Sequence, residues 1–142
     1  MQLNPYLFFN GNCEDAFRFY EKALGGRIEA MLRTEEAPED AQCAMGEDMK
    51  GKVMHAFMRI GDFSLMASDS PRAHFQTPQG YAVSLNYDDA AEAERIFGTL
   101  SEGGTVPMPA GPTFFARFFG MCVDKFGTPW MVNCPLQTCT QA

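Results

Sequence analysis

The chain has 142 residues, 46% of them apolar, and a formal net charge of −7 from 11 Lys and Arg against 18 Asp and Glu. That length supports one domain with a real core, and an acidic balance without a Lys/Arg cluster excludes nucleic acid and anionic membranes as partners. No window approaches the ~20 apolar residues of a membrane span, and the N-terminal MQLNPYLFFNGN has neither the basic region nor the cleavage site of a signal peptide, so the expected location is cytoplasmic.

Pro5–Asn10 is apolar and aromatic, the pattern of a buried strand. Asn12 is placed to cap a helix over Cys13–Leu24. Glu14 and Asp15 complement its dipole, Ala16, Phe17, Tyr20 and Leu24 recur at helical spacing, and Gly25–Gly26 stops it. A strand follows near Arg27–Arg33. Thr34–Lys52 carries six acidic residues, two glycines and a proline, and reads as a solvated excursion or as a binding loop. Val53–Ile60 and Phe63–Ser68 form a hairpin about Gly61-Asp62, and Asp69–Gly80 is a polar linker. The second half repeats the plan: a strand over Tyr81–Tyr87, a helix over Ala90–Ser101 capped by Asp88 or Asp89, and a Pro- and Gly-rich connection at Pro107–Pro112. A hairpin of Phe114–Val123 and Trp130–Asn133 around Asp124–Gly127 closes the chain.

The cysteines Cys13, Cys43, Cys122, Cys134 and Cys139 are odd in number and contain no CxxC, so without a secretion signal they read as free cytosolic thiols. Cys134-x4-Cys139 lies in a tail of Gln, Thr and Ala and makes a poor zinc site. The 13 Phe and 10 Met suit either core packing or an adaptable apolar cavity.

The two halves echo one another. Shifted by 77 positions, LFFNGNCEDAFRFY at 7–20 falls on SLNYDDAAEAERIF at 84–97, with Phe8 on Leu85, Ala16 on Ala93, Arg18 on Arg95 and Tyr20 on Phe97. Leu65-Met66-Ala67-Ser68 and Trp130-Met131-Val132-Asn133 then close the two hairpins. The order βαβββ twice, with no βαβ crossover pattern, predicts an α+β fold. One domain over residues 1–142, built from tandem units at about 3–69 and about 80–135, would form a pseudo-symmetric cleft of mixed and antiparallel sheet.

Several stretches carry a family resemblance: Pro5-Tyr6-Leu7-Phe8-Phe9-Asn10-Gly11-Asn12 leading into Ala16-Phe17-Arg18-Phe19-Tyr20, then Met54-His55-Ala56, Leu65-Met66-Ala67-Ser68-Asp69, and above all Asp124-Lys125-Phe126-Gly127-Thr128-Pro129-Trp130-Met131-Val132-Asn133. With these the chain resembles the vicinal oxygen chelate superfamily of glyoxalases, bleomycin resistance proteins and dioxygenases. It is most similar to the PhnB-like branch, labelled 3-demethylubiquinone-9 3-methyltransferase. The resemblance implies the glyoxalase-like fold and, since such members are usually dimers, a homodimer; the aromatic run Phe114–Phe119 points the same way. Metalloenzymes of the superfamily place His, Gln or Glu ligands on the first and last strand of each unit. Matched by position, those sites here are Pro5, Met66, Ala82 and Met131, which offer no oxygen or imidazole nitrogen to a divalent metal, so no metal and no cofactor are expected. The methyltransferase label is unsupported as well. That activity in its common α/β form needs a parallel sheet with a Gly-rich first turn, whereas these glycines sit at helix ends and hairpin turns.

Alternation from Met66 and Met131 adds Ser64, Ser68, Pro129 and Asn133 to the cleft, and alternation from Pro5 and Ala82 adds Leu7, Phe9, Ser84 and Asn86. An apolar surface with a few polar groups is how small-molecule sites are lined. His55 is either an acid/base or a buried structural histidine; His74 reads as solvated. Arg117, among aromatics, is either an anion clamp or a surface arginine, and Asp69 is placed at the mouth. Trp130 and Phe115 either stack on a ligand or pack in the core, and Asn10 and Asn12 read as turn and cap. The expected ligand-binding set is therefore Phe9, His55, Met66, Ser68, Ser84, Phe115, Trp130, Met131 and Asn133, with His55, Asp69 and Arg117 as candidates for catalysis. Three functions compete: a metal-free module binding a small apolar or aromatic molecule, an enzyme with His55 as base, and a structural protein whose side chains fill the pocket. Binding is the preferred reading, and an acidic protein steers cationic or neutral ligands.

Overall fold

A computed structural model describes residues 1–137 and divides the chain into two units, Met1–Thr77 and the segment from Pro78 onward. The Cys134-x4-Cys139 pair falls partly outside the described residues. In the first unit the order is β1 (Tyr6–Phe9), α1 (Cys13–Leu24), β2 (Arg27–Arg33), α2 (Glu39–Met45) between two short 3-10 turns, β3 (Val53–Ile60) and β4 (Phe63–Asp69). The strands form one mixed sheet ordered β1-β4-β3-β2, with β1 parallel to β4 and the other pairs antiparallel. The second unit holds β5 (Val83–Asn86), α3 (Ala90–Ser101), β6 (Ala116–Val123) and β7 (Pro129–Pro135), ordered β5-β7-β6 with β5 parallel to β7. The fold is α+β and glyoxalase-like. Among the described residues no helix is long and apolar enough to cross a membrane.

The two long helices, α1 and α3, each cover one face of their own sheet. In α1 the buried residues Ala16, Phe17, Tyr20 and Leu24 recur at helical spacing and meet Leu7, Phe9, Met58, Leu65 and Ala67 in the core. In α3, Ala93, Ile96, Phe97 and Leu100 do the same with Phe118, Cys122, Trp130 and Val132. Burying each large apolar side chain contributes about 1.5–3 kcal/mol, so these two seams supply most of each unit's stability. Gly25, at φ +67, ends α1 in the left-handed conformation that glycine adopts without strain.

Two details depart from the sequence reading. The second unit has three strands, because the segment matching β2 contains Pro107, Pro109 and Pro112, which lack ladder donors. Among the described residues two isolated bridges, Thr105 to Val123 and Gly111 to Phe119, join this segment to β6. A Cβ on Gly104 would lie 2.1 Å from the Val123 carbonyl oxygen, so a glycine is required for that approach.

The other departure concerns helix capping. Asp89 caps α3 as expected, accepting from the Ala91 N–H at 2.9 Å. Asn12 occupies the cap position of α1, but its side chain makes no cap hydrogen bond. Asp69, at the end of β4, takes that role. One carboxylate oxygen accepts from the Gly11 and Cys13 N–H groups at 3.0 Å each, and the other from the Val53 N–H at 2.9 Å. Asp69→Ala strands these donors, two of them buried, and should lower stability by about 3 kcal/mol or more, read as a shift in urea midpoint. Asp69→Asn should restore little, since its amide would set one N–H group against another.

Candidate ligand-binding faces

Pleating gives each sheet one face against its helix and one face away from it. In the first unit the row Tyr6–Met66–Phe57–Ala30 crosses all four strands on the face away from α1. Phe8, Ser68, His55 and Leu32 share that face. Tyr6, Phe8 and Leu32 are exposed, His55, Phe57 and Met66 half-buried, and Ser68 buried. The Tyr6 hydroxyl lies 3.3 Å from His55 Nδ1, and the two rings stack with centroids 5.9 Å apart. Phe8 tilts against Tyr6 at 5.1 Å. Arg59 extends the face, its guanidinium 5.4 Å from the Phe57 centroid and 3.5 Å from Glu29, which sits at a bulge in β2.

In the second unit the corresponding rows are Ser84–Met131–Met121 and Asn86–Asn133–Phe119. Asn133 Nδ2 donates to Asn86 Oδ1 at 3.0 Å, while Asn133 Oδ1 is buried with no partner among the described residues. An unpaired buried acceptor of this kind costs about 1–3 kcal/mol.

Ser84, Asn86, Met66, Ser68, Met131, Asn133 and His55 thus lie on faces away from the helices. Pro5, Leu7 and Phe9 do not: Leu7 and Phe9 point at α1 and are 3% and 2% exposed, and Tyr6 and Phe8 take the open face instead. The offset that aligns the helices sends open-face Tyr6 and Phe8 onto helix-side Val83 and Leu85. Gly11 bends the first strand-to-helix turn at φ +94, and no residue of Tyr87-Asp88-Asp89 does so. An offset read from the helices therefore carries the wrong parity into β1, and a slip of one residue exchanges the faces of a strand.

Three further candidates are engaged elsewhere. Asp69 is 5% exposed and spends both oxygens on backbone N–H groups, so it caps α1 instead of opening onto the sheet face. Arg117 sits at a bulge in β6 and donates to the Pro135 carbonyl at 3.2 Å and to the Asp88 carbonyl, which takes its guanidinium away from any anion. Trp130 is 1% exposed, on the helix side of β7, with its indole N–H 2.8 Å from Asp124 Oδ2. The same carboxylate accepts from the Phe126 and Thr128 N–H groups and shapes the turn between β6 and β7. Phe115 precedes β6 and is half exposed, and His74 is exposed. Sequence reasoning missed Tyr6, Phe8, Phe57 and Met121; the alternation in β1 marked the first two once its parity was known.

The excursion at 34–52 is folded. The Thr34 hydroxyl donates to the Met49 carbonyl, the Gln42 amide donates to the Glu35 and Ala37 carbonyls, and Asp48 accepts from the Arg72 N–H. N–H groups of its own backbone and of Gly51 hold the Glu35 carboxyl below its ordinary value. A recess of about 390 Å³ lies here, lined by Thr34, Glu35, Gln42, Cys43, Gly46, Glu47 and Lys50. Among the described residues no three His, Cys, Asp or Glu side chains are grouped to hold a metal ion.

Residues 1–133 match the family described as 3-demethylubiquinone-9 3-methyltransferase. The chain belongs to that family. That family is the one read above as PhnB-like. The chain is 35% identical to protein YjdN of Escherichia coli K12 over 147 residues, covering 99% of this chain and 100% of that one. The crystal structure of PA1353 from Pseudomonas aeruginosa is similar at 50% identity and a TM-score of 0.86, over 96% of this chain and 99% of that one. The PhnB protein from Bacillus cereus shares the fold at 24% identity and a TM-score of 0.78, over 94% of this chain and 99% of that one.

The cysteines of this PhnB-like chain differ in reactivity. Burial, reinforced by Asp69 and Glu14, pushes the Cys13 thiol far above its ordinary range, and burial with Asp124 pushes Cys122 up to about 11. Cys43 is exposed. The thiolate is the reactive form, so iodoacetamide at about pH 9 should alkylate Cys43 and leave Cys13 and Cys122 unmodified in the folded protein, as read by peptide mass mapping.

Proposed function

We propose that this protein binds a small, largely apolar or aromatic molecule on the sheet faces turned away from its helices, and that binding uses no metal or other cofactor. The observation that carries this reading is the make-up of the rows Tyr6–Met66–Phe57 and Ser84–Met131–Met121. At two of the positions where metalloenzymes of the superfamily carry His, Gln or Glu these rows carry the thioethers Met66 and Met131, and the rings and hydroxyls beside them complete a donor set poorly matched to a hard or borderline divalent ion. Flexible, polarisable methionines beside stacked rings suit an apolar guest, and His55, Ser68 and the Asn86–Asn133 pair add the few polar groups that orient one. A net charge of −7 attracts cationic molecules, repels anionic ones and leaves neutral ones unaffected. Methyl transfer, the activity in the family's description, has no support in these mixed sheets.

An enzyme using His55 as acid/base is the second reading, and the contact between Tyr6 and His55 favours it. Its partner would be Tyr6, since Asp69 and Arg117 are engaged with backbone.

Elemental analysis of protein purified without chelator, joined to a thermal-shift screen of metabolites and drugs, tests the binding reading. Less than stoichiometric metal and at least one stabilising compound are expected. His55→Gln should weaken that compound about three- to tenfold while His74→Gln leaves it unchanged. Stoichiometric metal lost on changing Met66 or Met131, or equal effects at both histidines, would contradict the reading.

We also propose that the protein is a homodimer. Phe114 is 92% exposed and forms an edge-to-face chain with Phe115 and Phe119, at 5.1 and 5.2 Å. Exposed apolar clusters mark interfaces. Sedimentation should give twice the 15.8 kDa chain mass. Phe114→Asp should yield folded monomer, whereas Phe118→Asp should unfold its unit, because Phe118 is buried against Phe97.

A further inference from the structure

We infer that Tyr6 is a positioning residue that fixes the tautomer of His55, and that the pair selects a neutral aromatic ligand bearing a carbonyl oxygen. The inference rests on the proposed binding role of the first sheet's open face and names the chemistry which that face prefers.

Tyr6 lies on β1 and His55 on β3, with β4 between them. The intervening strand carries Met66 and Ser68 on this face, and over it the tyrosine hydroxyl comes within 3.3 Å of His55 Nδ1. A neutral imidazole has one donor and one acceptor nitrogen, and the hydrogen bond made by one nitrogen decides the role of the other. A phenol is the better donor of the two, so Tyr6 donates to Nδ1 and the proton of His55 sits on Nε2. Nε2–H then becomes a fixed donor among the rings of Tyr6, Phe8 and Phe57, the Met66 thioether and the Ser68 hydroxyl, with the Arg59 guanidinium beyond Phe57. A carbonyl oxygen is its complement. The ring of the ligand is recognised by the same group of side chains: Phe8 and Tyr6 are 5.1 Å apart, Tyr6 and His55 are stacked at 30°, and Met66 and Phe57 continue the row. Among the described residues no carboxylate hydrogen-bonds to either member of the pair; Glu29, across the sheet, is taken up by Arg27 and Arg59.

The chain has two histidines, so nitrogen-15 spectra of histidine-labelled protein resolve both. At about pH 8.5, where an ordinary imidazole is neutral, wild-type His55 should show a single Nε2–H tautomer, and Tyr6→Phe should convert it to a mixture while the backbone spectrum stays folded. Acetophenone serves as the carbonyl probe and aniline as a donor probe of similar size. Acetophenone should shift His55 Nε2 and leave His74 unmoved. Tyr6→Phe should weaken its binding about three- to tenfold, and aniline should bind more weakly than acetophenone to the wild type. His55→Gln, which keeps an N–H donor, should retain part of the affinity.

An Nδ1–H tautomer in the wild type, or a tautomer unchanged in Tyr6→Phe, would overturn the positioning role. Aniline binding as well as acetophenone would overturn the ligand class. If neither probe moves His55 but a compound from the thermal-shift screen perturbs Met66, this inference fails and the binding reading stands. If no compound perturbs Met66 or His55, both fail.

Discussion

The first unit is organised around one buried carboxylate. Asp69 ends β4, and its two oxygens gather the bend before α1, the first turn of that helix and the start of β3. Its own backbone strand pairs parallel with β1, where it lies opposite Phe9. A charge buried to this degree persists only when it is fully hydrogen-bonded, so the three segments are held at once or not at all. The register of β1 on β4 follows, and that register decides that Tyr6 and Phe8 face away from α1 with Met66 and His55. The candidate binding face is thus a consequence of a residue that never touches it.

Asp124 does comparable work in the second unit at a different place. It binds the turn between β6 and β7 and the indole of Trp130. The two units keep the pairing of a parallel first strand with a last strand, which defines the open faces, and depart from one another elsewhere. A proline-rich segment replaces an edge strand in one unit, and a folded excursion with its own recess is inserted in the other. Residues on the open faces differ accordingly: aromatic and imidazole groups in the first, carboxamides and hydroxyl in the second.

Much of this was legible beforehand. Both long helices fall where periodicity and caps placed them, as does β2, because amphipathic spacing and terminal glycines are local signals. Alternation within each hairpin put Met66 and Ser68 on one face and Met131 and Asn133 on another, and alternation from Ala82 added Ser84, as the pairing has them; His55 was read only as lying on a neighbouring strand. Three features were hidden, each for a physical reason. The facing of β1 depends on backbone torsion at Gly11, which offset counting ignores. The engagement of Asp69 depends on N–H groups up to 58 residues away in sequence. The redirection of Arg117 depends on a bulge, which shows no compositional mark.

A ligand seated on the open faces would leave the helix-side cores undisturbed. Methionine methyl groups report on both: Met66, Met121 and Met131 lie on open faces, whereas Met58 is fully buried beneath α1 and Met49 under the excursion. A carbon-13 methyl spectrum of methionine-labelled protein, titrated with a compound that raises its melting temperature, should shift the first group and leave Met58 and Met49 in place. Shifts confined to Met58 or Met49 would place the ligand in the core or the excursion and contradict the account.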